Sequence, residues 1–193
     1  DKRICSDSVK FLINYHYGRI HQNGANYQEA MHYYLTAEKY ALAAHKNYYL
    51  GLVYTRIGEL YSEQMNFNGA LEYYRNAYDA WKKLRNPAFM NNATLNIANT
   101  YSSLNDNDNA VKYYFQALQA ARQQGDNDMV IACLSNLGDI YVSKGDYPKA
   151  LQAVKEIERI VPDGLSIYQY RILIKVYYLQ HKIDSARYYF NIA

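Results

Sequence analysis

Residues 51–81 read GLVYTRIGELYSEQMNFNGALEYYRNAYDAW, and the spacing of their small and aromatic residues recurs along the chain. Alanine recurs at an interval of 40 residues, as Ala30, Ala70, Ala110 and Ala150. A small residue recurs at the same interval twelve positions earlier, as Gly18, Gly58, Ala98 and Gly138. A fixed period of this length is typical of stacked supersecondary units, so the sequence predicts a solenoid of repeated helical hairpins.

Packing explains why small residues recur at these positions. Glycine or alanine lets the two helices of a hairpin approach closely, and larger residues such as Tyr61 and Tyr74 fill the space between them. The second helix of the 51–81 stretch has the spacing of one buried helical face, with Ala70, Leu71, Tyr74, Ala77, Tyr78 and Trp81. Each hairpin leaves an apolar face that a neighbouring hairpin covers, so stability comes from stacking.

The spacing resembles the tetratricopeptide repeat family, whose pattern runs Trp-x2-Leu-Gly-x2-Tyr, then Ala-x3-Phe, Ala and Pro. The matching residues of the second unit are Tyr54, Ile57, Gly58, Tyr61, Ala70, Tyr74 and Ala77. Those of the fifth unit, offset by 36 residues, are Tyr170, Leu173, Ile174, Tyr177, Ala186, Phe190 and Ala193. The resemblance implies an all-α, right-handed superhelical solenoid: one array over residues 1–193, of about five antiparallel helix-turn-helix units starting near 11, 51, 91, 131 and 167.

The period of 40 residues is longer than the family's usual 34, and the absence of the helix-ending proline from units one to three explains the difference. At the position where the family has this proline, units one to three have Leu42, Lys82 and Arg122. Without proline the second helix can continue. Unit four has Pro162. We therefore predict longer second helices in units one to three and an earlier stop near Val161 in unit four.

Composition and motifs exclude several function classes. The net charge is +3 without a basic run, so nucleic-acid binding is not indicated, and no apolar stretch is long enough to span a membrane. Nucleotide-binding and zinc motifs are absent from the sequence, so we expect no enzyme activity, no cofactor and no metal. We expect no disulfide between Cys5 and Cys133, which would lie several units apart, and we expect the chain to be a fragment of a longer protein.

Tyrosine is abundant, with 24 residues, several of them in pairs. The pairs recur at fixed repeat positions as Tyr33-Tyr34, Tyr73-Tyr74 and Tyr113-Tyr114, with Tyr189-Phe190 in the fifth unit. Because they follow the repeat, we interpret the pairs as packing residues and not as a platform for stacking a ligand. Tyr15 is the better ligand candidate, since it falls on an expected groove position.

In the family that the chain resembles, peptides lie along the concave groove, which the first helices line. Carried over by position, the residues expected to contact a protein or an extended peptide are Tyr15, Arg19, Arg56, Glu59, Asn92, Asn96, Asn99, Asn136 and Asp139. Asparagine can both donate to and accept from a peptide backbone, and arginine can bind a carboxylate through paired hydrogen bonds. The alternative interpretation is that these polar rows are the solvated face of the solenoid.

The positions also resemble those of the chaperone-binding members, which clamp a peptide's C-terminal carboxylate. The chain departs from that clamp because its third unit has Asn92 and Asn96 where the clamp has cationic residues. Long repeats further resemble the sensor arrays of bacterial regulators and peptide-responsive regulators, which implies the periplasmic side of a cell envelope, with the cytoplasm as the alternative. A third possibility is an assembly scaffold that binds through its convex face or its edges. The oligomeric state stays open.

Overall fold

The computed structural model describes residues 6–161 and 164–193, and every regular element in them is an α-helix. The fold class is therefore all-α, as predicted. The helices are α1 (Asp7–Asn23), α2 (Tyr27–Ala43), α3 (Asn47–Glu63), α4 (Phe67–Lys83), α5 (Pro87–Ser103), α6 (Asn107–Gln124), α7 (Asn127–Ser143), α8 (Tyr147–Ile160), α9 (Ile167–Leu179) and α10 (Ile183–Ile192). Within the described residues, no helix has the length and apolar character needed to cross a membrane.

The helices divide into two compact units, Asp1–Asp106 and Asn107–Ala193. In the first unit α1 pairs with α2 and α3 with α4, and α5 packs on α4. In the second unit α7 pairs with α8 and α9 with α10, and α6 packs on α7. Short turns join the helices of each pair, so the paired helices run antiparallel, as in the helical hairpins that the repeat predicts.

A left-handed backbone conformation recurs every 20 residues in the turns, at Ala25, His45, Met65, Arg85, Asn105, Gly125 and Gly145. In the first turn the amide of Ala25 donates to the carbonyl of Gln22, and the amide of Asn26 donates to the carbonyl of His21, both at 2.9 Å. These two bonds satisfy carbonyls at the end of α1 in the Schellman arrangement. Each helix thus stops at a fixed place, which keeps the repeat in register.

The second helices of the first three hairpins are longer than that of the fourth, as the positions of proline predict. The second helices α2, α4 and α6 have 17, 17 and 18 residues, whereas α8 has 14 and ends at Ile160 with Val161 as its C-cap. Pro162, to which the early stop was assigned, lies outside the described residues. The first helix of the fifth hairpin, α9, has 13 residues where α7 has 17. It lacks one turn at its start, which explains why the repeat offset shrinks to 36 there.

The core is built from the recurring small and aromatic residues. The repeated alanines are fully buried: Ala30, Ala70, Ala110 and Ala150. The tyrosines at the next recurring position, Tyr34, Tyr74 and Tyr114, are each at most 4% exposed. A Cβ at Gly58 would lie 2.7 Å from the Tyr74 ring, so the glycine is what allows that ring to lie against α3. The first tyrosine of a pair stacks within its hairpin, as Tyr73 does on Tyr61 with 5.6 Å between ring centroids. The prediction that the tyrosine pairs serve packing is confirmed for these hairpins.

Candidate functional site

Five of the nine predicted binding residues line one cavity of about 290 Å³ in the first unit. They are Tyr15 on α1, Arg56 and Glu59 on α3, and Asn92 and Asn96 on α5. Arg56 and Glu59 are three positions apart on α3, and Asn92 and Asn96 are four apart on α5, which is the spacing of one helical face. The predicted groove positions of three successive first helices therefore meet at one place.

Arg56 is held across this cavity by two hydrogen bonds. Its Nε donates to the Tyr15 hydroxyl oxygen at 3.3 Å, and its Nη1 donates to Glu59 Oε2 at 2.7 Å. Partial burial would lower the pKa of the guanidinium, but the hydrogen bond to Tyr15 and the charge of Glu59 raise it above its ordinary value. Arg56 is therefore charged at every physiological pH. These two bonds use two of its five N–H donors, and the others are available to a ligand.

Tyr15 is a largely buried lining residue of the cavity, and its hydroxyl accepts from Arg56. Its side chain is 7% exposed, and its ring packs on Phe11 and Tyr34 with centroids 5.5 and 6.2 Å apart. A ligand therefore cannot stack on the face of this ring. By accepting from Arg56, the Tyr15 hydroxyl also helps to orient the guanidinium. The direct ligand contact expected of Tyr15 stays a prediction.

The apolar wall of the cavity was not predicted from the sequence. Trp81 and Phe89 line it and stack on each other with centroids 4.4 Å apart. Trp81 is 1% exposed, whereas Phe89 is 37% exposed and offers its outer face to the cavity. The sequence frame began the third unit near residue 91, so Phe89 fell outside it. The signal that could have found Phe89 is Pro87, which opens α5 as its first residue and so places Phe89 in the first turn.

The second unit has its own polar cavity, of about 340 Å³, between α7 and α9. It contains the predicted residues Asn136 and Asp139. Arg171 on α9 donates to Asp139 Oδ2, and Lys175 Nζ lies 3.9 Å from Asp139 Oδ1. The fifth hairpin thus supplies two cations that neutralise Asp139. This pairing was missed because the shortened α9 shifts the register by four residues.

The remaining two predicted residues, Arg19 and Asn99, are exposed and do not line either cavity. Seven of the nine residues are thus collected at two places, five in the first unit and two in the second. In both places the walls come mainly from first helices, which is the face that the repeat register indicates.

Reactive groups in the described residues are few. No group of three or more His, Cys, Asp or Glu side chains there could hold a metal ion. Cys133 is fully buried, and burial together with the charge of Asp126 raises the pKa of its thiol to about 12, so it is protonated and unreactive at neutral pH. Cys5, the other partner of the disulfide considered above, lies outside the described residues.

Comparison with known proteins confirms the repeat. Residues 89–163 match the family model described as Tetratricopeptide repeat. No curated protein matches the chain by sequence. Many solved structures share the fold, and three of them illustrate its range.

The apo form of RapI superposes with a TM-score of 0.84 at 14% identity, over 94% of this chain and 68% of RapI. BtubC from P. vanneervenii superposes with a TM-score of 0.76 at 19% identity, over 89% of this chain and 73% of BtubC. NprR in complex with its cognate peptide NprX superposes with a TM-score of 0.67 at 20% identity, over 98% of this chain and 56% of NprR. At these identities the likeness establishes the fold.

Proposed function

Taking the chain as a tetratricopeptide-repeat array, we propose that it is a non-catalytic module that binds a protein or an extended peptide through the face of its first helices. The observation that carries the proposal is the convergence of Tyr15, Arg56, Glu59, Asn92 and Asn96 on one cavity of the first unit. The same positions were chosen from the repeat register alone.

The chemistry of the cavity suits a peptide segment. The amides of Asn92 and Asn96 can donate to and accept from a peptide backbone. The exposed face of Phe89, with the half-buried Leu52 and Leu95, offers an apolar surface for one side chain of the ligand. A few polar groups beside an apolar wall is the usual composition of a ligand site.

The charge balance of the cavity argues against a carboxylate clamp. Glu59 already pairs with Arg56 at 2.7 Å, so the pair carries no net charge toward a ligand. A free C-terminal carboxylate would meet Glu59 as well as Arg56. The ligand that we propose is therefore an internal extended segment with an apolar side chain and not a C-terminal tail.

NprR shares the fold and was solved with its cognate peptide, which supports peptide binding as a use of such an array. By the same likeness we propose that the chain serves as the sensor or interaction part of a bacterial regulator.

A second candidate function, an assembly scaffold, is favoured by a cavity of about 330 Å³ lined by residues of α6, α7 and α8 in the second unit. Its floor includes Leu118 and Leu137, both buried, and the half-exposed Phe115 stands at its edge with the ion pair of Arg122 and Glu156. An apolar anchor from a partner could enter there. This surface belongs mainly to second helices, so variants distinguish the two functions.

The test is selection of binders from a random peptide display library on the immobilised chain, followed by affinity measurement with a synthetic selected peptide. The variant Asn92→Ala/Asn96→Ala should weaken the affinity at least about tenfold, since two backbone hydrogen bonds of about 1 kcal/mol each are lost. Asn76→Ala, an exposed change on α4, is the matched control and should bind as the unmodified chain does.

Two outcomes would contradict the proposal. One is that no peptide is selected. The other is that the selected peptide binds the Asn92→Ala/Asn96→Ala variant unchanged and loses affinity for Phe115→Ser, which would move the function to the second helices and to the scaffold.

A further inference from the structure

The cavity of about 330 Å³ in the second unit lies where the repeat lacks a tyrosine. Four of the five repeats have a tyrosine as the first residue of the aromatic pair: Tyr33, Tyr73, Tyr113 and Tyr189. The fourth repeat has Ala153 at this position, and Ala153 lines the cavity. The tyrosines of the other hairpins therefore indicate what the cavity fits.

The second hairpin shows how such a tyrosine is held. Tyr73 on α4 stacks on Tyr61 with ring centroids 5.6 Å apart, and its ring lies tilted against that of Tyr54 at 5.9 Å. Eighty residues later the positions of Tyr54 and Tyr61 hold Leu134 and Tyr141, and both line the cavity. The walls that hold the tyrosine are thus present in the fourth hairpin, and the ring between them is missing.

The interior of the fifth hairpin repeats this arrangement beside a lysine. Tyr189 stacks on Tyr177 with ring centroids 5.4 Å apart, while Lys182 Nζ lies 5.9 Å from the centroid of Tyr177. In the cavity Lys149 Nζ lies 5.4 Å from the centroid of Tyr141. A lysine beside the ring is therefore compatible with a second ring stacked on it.

The floor of the cavity is apolar and wide enough for a ring. Leu118, Leu134 and Leu137 line it and are each at most 5% exposed. In the second hairpin the positions of Leu118 and Leu134 hold Glu38 and Tyr54, which share a hydrogen bond, so two leucines replace a polar pair. An engineered apolar cavity of about 150 Å³ holds benzene, so a volume of about 330 Å³ has room for one aromatic ring.

The charges at the rim are balanced. Arg122 pairs with Glu156, and Lys149 Nζ donates to Asp146 Oδ2 at 2.6 Å. The rim therefore offers no net charge to an occupant. An uncharged ring complements it, whereas a carboxylate or a phosphate would have to compete with Glu156 or Asp146 for its cation.

We propose that this cavity binds an uncharged aromatic side chain, tyrosine or phenylalanine, of a partner protein. The ring stacks on Tyr141, contacts the leucine floor and takes the place that Tyr73 has in the second hairpin. The inference rests on the second candidate function, the assembly scaffold, and gives the chemistry of the anchor that the partner supplies.

Methyl NMR of the chain during titration with two probes tests the proposal. One probe is para-cresol, which is the tyrosine side chain alone, and the other is N-acetyl-tyrosinamide, which carries the same ring on a peptide backbone. Both should shift the methyl signals of Leu118, Leu134 and Leu137 saturably. Methylcyclohexanol, which has the size of para-cresol without the flat ring, should bind at least about tenfold more weakly.

Two reciprocal variants make the test specific. Ala153→Tyr should abolish the binding of both probes and raise Tm, since the chain's own ring then fills the cavity. Tyr73→Ala should lower Tm and add a second saturable site for para-cresol, because it opens the same place in the second hairpin. Asn92→Ala/Asn96→Ala should bind both probes unchanged, so failure of the ring site and failure of the proposed peptide site are distinguishable.

The proposal is overturned if neither probe gives saturable shifts at the three leucines. It is also overturned if para-cresol binds and N-acetyl-tyrosinamide does not, since the cavity would then exclude a ring attached to a peptide. Ala153→Tyr that still binds the probes, lowers Tm or does not fold would show that the cavity is not the place of a tyrosine. Tighter binding of para-cresyl phosphate than of para-cresol would replace the uncharged ring by a phosphorylated one.

Discussion

Replacing Gly51 by alanine should destabilise the first unit, because the new methyl group has no room. Its Cβ would lie 2.4 Å from Trp81 Cε2 and 2.6 Å from Trp81 Cζ2. Carbon atoms in contact prefer a separation of about 3.5 Å or more, so the indole ring would have to move by about 1 Å. Trp81 is held on two sides, by the stacked ring of Phe89 at 4.4 Å and the edge-on ring of Tyr48 at 5.5 Å.

Two opposing effects set the magnitude. Alanine in a helix interior is more stable than glycine by about 0.5–1 kcal/mol. Overpacking a rigid core site costs about 1–3 kcal/mol. We expect a net loss of about 1–2 kcal/mol in the free energy of unfolding, which for a domain of this size lowers Tm by about 2–8 °C.

Urea unfolding followed by tryptophan fluorescence is the assay, because Trp81 is the single tryptophan of the chain and reports on its own site. Gly24→Ala is the control: Gly24 has φ −86° and a Cβ there would have its nearest neighbours at 3.6 Å, so stability should be unchanged or slightly raised. Gly138→Ala should cost less than Gly51→Ala, since its Cβ would meet the flexible tip of Ile172 at 2.9 Å. If Gly51→Ala were as stable as the unmodified chain, the reasoning that Trp81 is fixed in place would be refuted.

Three further predictions follow from the packing, the turns and the buried charge. Ala70→Leu overpacks a fully buried site and should lower the free energy of unfolding by about 1–3 kcal/mol, measured by thermal unfolding. Ala43→Leu, at an exposed site, is the control and should be nearly neutral. Equal effects of the two substitutions would contradict the assignment of Ala70 to the helix contact. Met65→Gly should stabilise by about 0.5–1 kcal/mol, because Met65 has φ 59°, which costs a non-glycine residue about 1–2 kcal/mol, and a lower Tm would contradict this. Burial raises the pKa of the Glu38 carboxyl, although its hydrogen bond with Tyr54 opposes this shift. The folded state therefore binds this proton more tightly than the unfolded state does. The free energy of unfolding falls as pH rises from the ordinary pKa of the carboxyl through its raised pKa in the folded state. Glu38→Gln should therefore raise Tm at pH 7 and leave it unchanged at pH 3, whereas the exposed control Glu72→Gln should leave Tm unchanged at both. The same gain for Glu38→Gln at both pH values would contradict the raised pKa of Glu38.

The sequence predicts the fold well because the repeat constrains it at several levels. The interval between Ala30, Ala70, Ala110 and Ala150 predicts the number and spacing of the hairpins. The missing prolines predict which second helices are long. The spacing does not show where each first helix begins, since that depends on the turn before it. The left-handed conformation at residues such as Ala25 and Met65 carries no glycine signal, so those turns were not evident from composition, unlike the turns at Gly125 and Gly145.

The candidate site could be predicted only in part. Asn92 and Asn96 follow from their repeat positions because a helical face is periodic. Phe89 does not, since it precedes the repeat frame and enters the cavity only because α5 starts at Pro87. The partners of Asp139 depend on the length of α9, which the pattern of the four preceding units does not contain.

The most direct test of the central claim, that the first helices carry the binding surface, is hydrogen–deuterium exchange of the chain with and without the selected peptide. The account predicts that the peptide slows exchange in α3 and α5, whose residues line the cavity of the first unit. Slowed exchange confined to second helices such as α4, α6 or α8, with α3 and α5 unchanged, would contradict it.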